Sequence, residues 1–113
     1  MKAGDAALAE LQQADGQYKL RPILLLKQFP PFDDWLVCGI SSQIRQTVPD
    51  LDEVIRETDD DFSKSGLHVS SVIRVGFLAT LPEKNIAGTV GSANPHRHQK
   101  VLKNLIVFLN TDT

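Results

Sequence analysis

Lys19-Leu20-Arg21-Pro22 runs directly into Ile23-Leu24-Leu25-Leu26, and one apolar segment later the chain reads Cys38-Gly39-Ile40-Ser41-Ser42-Gln43. The Arg21 guanidinium is planar and permanently charged, and its fork of N–H donors matches the oxygens of a phosphate. Ser41 and Ser42 offer hydroxyls and Gln43 an amide, each able to donate to a phosphate or a base edge. If the two apolar segments are neighbouring strands, the cation at the mouth of one and the hydroxyl at the end of the other meet at a point suited to an anion. Arg21 could equally be a surface arginine paired with a carboxylate, and serines commonly cap strand ends. The chemistry therefore depends on how the two strands pair.

The other chemistry-bearing residues form no comparable group. His96 and His98 stand two apart at the start of a helical stretch, where side chains at that spacing do not face each other. They read as solvent-exposed histidines and not as a metal pair. His68 follows Gly66-Leu67 and could approach the Arg21 region, although nothing in its spacing recommends it. Asp59-Asp60-Asp61 lacks the alternating ligands and closing glutamate of a calcium loop and reads as a solvated acidic turn. Cys38 has no histidine or second cysteine at a useful spacing and reads as a core thiol. The chain contains no phosphate-cradling glycine loop, nucleophile elbow or zinc motif, so neither a metal nor a cofactor is expected.

With 113 residues, 42% of them hydrophobic and 23% charged, the chain has the composition of one globular domain spanning residues 1–113. Its formal net charge is −2, whereas proteins that grip long nucleic acids by charge alone are basic. Any nucleic-acid contact must come from a local patch. No apolar run approaches the length of a membrane span, and no such run follows Met1-Lys2-Ala3-Gly4-Asp5 as in a signal peptide. A single cysteine excludes an internal disulfide framework and fits a reducing compartment. A cytoplasmic location without membrane contact is expected.

The elements that must hold the candidate residues follow from patterning. Asp5 to Leu11 alternates weakly as a first strand, and Gln12 to Lys19 is a polar loop with Asp15-Gly16 as its turn signal. The proline after Arg21 biases it toward extended geometry. Pro22 is tolerated at a strand start, and Ile23 to Gln28 is apolar on both faces, as a central strand would be. Trp35 to Ser42 predicts a third strand, with Leu36, Cys38, Ile40 and Ser42 on one face and Trp35, Val37, Gly39 and Ser41 on the other. Gly39 suggests a bulge or a close backbone approach; next to Ser41 on one face it would leave space for a ligand, the alternative being a tight bend. Asp52 to Glu57 is a short strand, and Asp59 to Phe62 a turn or helix start closed by Ser65-Gly66. Val72 to Leu81 predicts a strand with Ile73, Val75, Phe77 and Ala79 on one face and Arg74 on the other, and Lys84 to Gly91 a shorter one. Asn94-Pro95 supplies an N-cap and a first-turn proline. Val101, Leu102, Leu105, Ile106 and Leu109 then make one apolar helix face lying over the sheet. The fold class is mainly β (α+β): a small antiparallel barrel or curled sheet with a C-terminal helix.

In Gly4-Asp5, Arg21-Pro22 leading an apolar strand, the Ser41-Ser42-Gln43 triplet, Ser65-Gly66-Leu67, Val72-Ile73-Arg74 and Gly88-Thr89-Val90-Gly91, the chain resembles the PemK/MazF toxins of type II toxin–antitoxin systems, most of all the PemK-like branch. The resemblance spans nearly the whole chain and rests on the order and spacing of these short motifs. It implies an SH3-like barrel that forms a homodimer, cleaves single-stranded RNA without a metal, and is silenced by a cognate antitoxin protein. It also implies that Arg21 is the catalytic arginine and Ser41 the catalytic hydroxyl, where threonine is usual. The cleavage it implies is attack of the RNA 2′-hydroxyl on the adjacent phosphate, giving a 2′,3′-cyclic phosphate and a free 5′-hydroxyl. Lys19, Ser42, Gln43, Arg45 and Arg74 are then the candidates to hold RNA and select bases. A second reading is a non-catalytic barrel like related toxins that poison a topoisomerase by protein contact, and a third is an inactive member.

Overall fold

The computed structural model describes residues 1–111, which form β1 (Asp5–Gln12), β2 (Tyr18–Phe29), β3 (Asp34–Ser41), β4 (Glu53–Ile55), α1 (Phe62–Ser65), β5 (Ser71–Leu81), β6 (Ile86–Ser92) and α2 (Pro95–Leu109). The strands make one antiparallel sheet in the order β4-β5-β3-β2-β1-β6. Its two edges approach each other through α1, whose C-terminal Gly66 packs against the Val90 carbonyl of β6. This contact curls the sheet into a half-barrel. Gly66 is left-handed, with φ 73°, and a side chain at Gly66 or Gly91 would strike the backbone of the other segment. Two glycines are therefore required at this seam.

Alternation sorts the core into two layers. Leu24, Leu26, Cys38, Ile40 and Ile73 pack beneath α2 with Val101 and Leu105. Ile23, Leu25, Trp35, Val37 and Ala7 point the other way into a second cluster. The start of α2 is capped as its residues suggest, with the Asn94 side chain accepting from His96 N–H at 2.7 Å. Its apolar face, however, outruns the sheet: Ile106 is 57% exposed and Leu109 69%. Only Val101 and Leu105 are fully covered.

Three further expectations are corrected. The first connection is shorter than the polar stretch suggested. β2 begins at Tyr18, and Pro22 lies inside it, opposite Leu8. His98 is buried and not solvent-exposed; its ring faces Gly4, where an added Cβ would lie 3.6 Å from it. The acidic turn is solvated only in part: Asp60 is exposed, but Asp61 is buried and binds Arg97 through two bonds of 2.7 and 3.0 Å. Arg97 also reaches Asp59 at 3.1 Å and the Val54 carbonyl at 2.9 Å, tying α2 to β4 and to the approach to α1.

Candidate phosphate-binding groove

β2 and β3 are neighbours, and they separate at one end. The Leu25 carbonyl accepts from Gly4 on the β1 side, so alternation turns the backbone groups of Leu24 and Pro22 toward β3. There Pro22 has no N–H to give, and the β2–β3 pairing ends at Ile23↔Gly39. Beyond that point β2 stays paired with β1 (Ala9↔Arg21) and β3 with β5 (Ser41↔Val72). Continuing the β2–β3 register by two residues sets Arg21 opposite Ser41 across the split. Both line a groove of about 530 Å³.

Arg21 is exposed and donates a long hydrogen bond, 3.4 Å, to the Gln13 side chain. Among the described residues it forms no ion pair with a carboxylate. Ser41 is half-buried, and its oxygen accepts from the Gln43 N–H at 3.0 Å. That bond fixes the oxygen and leaves the hydroxyl hydrogen free to donate.

The far wall comes from β5. Between Cys38↔Leu78 and Gly39↔Arg74, one step along β3 spans four residues of β5, so Val75, Gly76 and Phe77 bulge out. The Asp52 carboxylate holds the bulge by accepting from Val75 N–H at 2.9 Å. The bulge sets Arg74 beside Gly39 and reverses the expected facing of the strand beyond it. Ile73 and Val75 enter the core beneath α2, Ala79 packs with the opposite cluster, and Phe77 is 43% exposed. The space above Gly39 is thus taken by the Phe77 ring, which would lie 3.0 Å from a Cβ at that position, and is not left open for a ligand.

Of the residues singled out in the sequence, Arg21, Ser41, Ser42, Gln43 and Arg74 line this one groove. Lys19 and Arg45 do not. Lys19 lies on β2 opposite Leu11, and Arg45 in a 3₁₀ turn beyond Gln43. His68 and Phe77 also line the groove: His68 could approach from its place after Gly66-Leu67 although its spacing does not recommend it, and patterning gives Phe77 no role there. His68 is carried there by the seam between α1 and β6, and Phe77 by the bulge, neither of which leaves a periodic signal. No aspartate or glutamate lines the groove among the described residues. A second hollow of about 370 Å³ beside α2 differs in this respect: Glu53, Asp60 and Asp61 line it together with Arg97 and Lys100, and Glu53 and Asp61 are paired with those cations. Cys38 is buried beneath the sheet, and burial, with a smaller contribution from the Asp52 carboxylate, pushes its thiol up to about 12. It is an inert core residue.

The fold recurs in solved structures. The Mycobacterium tuberculosis toxin MazF-mt6 superposes with a TM-score of 0.71 at 17% identity, over 96% of this chain and 99% of that one. An endoribonuclease in complex with its cognate antitoxin from a mycobacterial species gives 0.72 at 15% identity, over 100% and 98%. MazE–MazF from Deinococcus radiodurans gives 0.68 at 17% identity, over 99% and 97%. No curated protein sequence gives a significant match. The family profile described as PemK-like, MazF-like toxin of type II toxin-antitoxin system matches residues 2–109, so the chain belongs to that toxin family.

Proposed function

We propose that this chain is an endoribonuclease toxin that cleaves single-stranded RNA in the β2–β3 groove. The observation that carries the reading is electrostatic. A chain with a net charge of −2 gathers two guanidiniums, three serine hydroxyls and two amides in one groove that no carboxylate lines among the described residues. Such a site favours a phosphodiester over a neutral or cationic ligand. Arg21 is placed to stabilise the charge that develops on phosphorus as the 2′-hydroxyl attacks, and Ser41 to donate to a phosphate oxygen. The reaction leaves a 2′,3′-cyclic phosphate and a 5′-hydroxyl. A cognate antitoxin silences the chain by covering the same patch, and the working unit is a cytoplasmic homodimer.

Incubation with mixed-sequence single-stranded RNA in EDTA tests this. Cleavage with 5′-hydroxyl ends is expected, and Arg21→Ala should slow it by about 10²–10³-fold, the loss seen when one preorganised donor is removed. Intact RNA, or cleavage indifferent to Arg21→Ala, sinks the proposal. Topoisomerase inhibition without RNA cleavage would instead support the non-catalytic reading.

A further inference from the structure

Arg21 and Ser41 leave one requirement of RNA cleavage unmet. Attack by a 2′-hydroxyl needs a group to take its proton. A guanidinium is a donor that does not give up its proton in proteins, and serine is no base at neutral pH. Among the described residues lining the groove, only His68 carries an imidazole, the side chain most often used to take up and return protons in catalysis. We propose that His68 is the general base of the groove, an assignment that rests on the ribonuclease reading.

The loop that carries His68 is anchored on both sides. The Gly66–Val90 and Gly91–Ser65 contacts clamp its start to β6. Leu67 packs against the core beneath α2, and its N–H donates to the Ser65 hydroxyl oxygen at 3.2 Å. Beyond His68, the Ser71 hydroxyl donates to the Val69 carbonyl at 2.8 Å, and the Ser70 oxygen accepts from Glu57 N–H at 2.8 Å. These contacts anchor the backbone on either side of His68, whose exposed side chain lines the groove, so the loop holds it within the site as a proton-transfer group requires.

The step balances. The 2′-oxygen bonds to phosphorus as its proton passes to the neutral His68 imidazole. The bond from phosphorus to the 5′-oxygen breaks, and that oxygen takes a proton from water. The hydroxide so formed recovers the proton from the imidazolium. The charged residues that line the groove with His68 are Arg74 on β5 and Arg21 on β2; Lys64 precedes it on α1, and the backbone of Glu57 bonds to Ser70 of the same loop.

Single-turnover cleavage of mixed-sequence RNA in EDTA, followed from about pH 5.5 to 8.5, tests the assignment. The wild-type rate should climb with pH through the histidine range and then level. His68→Ala and His68→Gln should each lower the plateau by about 10²–10⁴-fold and abolish the climb. Binding of single-stranded DNA, which lacks the 2′-hydroxyl, should change little in either variant, and added imidazole should restore part of the rate to His68→Ala. A variant that keeps the wild-type rate or its pH dependence overturns the assignment, as does a rate loss matched by an equal loss of DNA binding. Should the wild type leave RNA intact, the ribonuclease reading falls as well. Should it cleave, and the variants cleave equally well, only the role of His68 falls.

Discussion

The resemblance implies threonine at the position of Ser41, and the extra methyl of threonine would hold its rotamer. Here a backbone bond does that work instead: the Gln43 N–H fixes the Ser41 oxygen at 3.0 Å. Ser41→Thr should therefore leave the cleavage rate nearly unchanged. Ser41→Ala removes the donor altogether and should slow the reaction by about 10- to 150-fold, the equivalent of the ~1.5–3 kcal/mol carried by a hydrogen bond to a charged partner. Single-turnover RNA cleavage by the two variants, side by side, measures both. A large gain from threonine would show that the Gln43 bond does not order the hydroxyl in solution.

Elements of this fold are joined at a few points, and Arg97 is the strongest of them. One side chain on α2 binds Asp61, Asp59 and the Val54 carbonyl, with Glu53 at 3.7 Å. Arg97→Ala would strand Asp61 and Asp59, while Glu53 would keep Lys100 at 3.5 Å. It should cost about 3 kcal/mol, the low end for breaking a buried pair because Asp59 is partly solvated. Urea unfolding reads this directly, and a loss below about 0.5 kcal/mol would class the network with ordinary surface pairs. No local pattern announces this network, since Arg97 and Asp61 lie 36 residues apart. The elements that were legible carry their signals within a few residues: the apolar run Ile23–Leu26, the alternation of Trp35–Ser41, the Asn94-Pro95 cap. The adjacency of β2 and β3, on which the Arg21–Ser41 meeting depends, follows from their being consecutive antiparallel segments. Alternation fails at β5 because it has no memory across a three-residue bulge. The α2 stripe overstates burial because periodicity cannot say where the sheet beneath a helix ends.

The whole molecule joins buried groups whose titration opposes folding at both ends of the pH scale, so its stability should show a plateau with shoulders. Burial lowers His98 below its ordinary 6.5, with the Leu26 backbone acting the other way. As pH falls below about 6.5 the unfolded chain takes up a proton that the folded chain resists, and stability declines until the folded value is passed. Asp61 is lowered from its ordinary 3.8, chiefly by its hydrogen bonds to Arg97. Its contribution is intact above 3.8 and is lost as pH drops from there through the folded value. Cys38 behaves in the opposite sense. Its thiol is raised from 9.0 to about 12, so the unfolded chain ionises first and stability declines between those two values. Urea midpoints measured across pH should therefore be flat from about 6.5 to 9 with respect to these groups. His98→Gln should flatten the shoulder nearest neutrality, Asp61→Asn the acid one, and Cys38→Ala the alkaline one. Because each variant also changes packing, the slope against pH is the quantity to compare and not the midpoint at any single pH. A shoulder that survives removal of its residue must then be carried by a group outside these three.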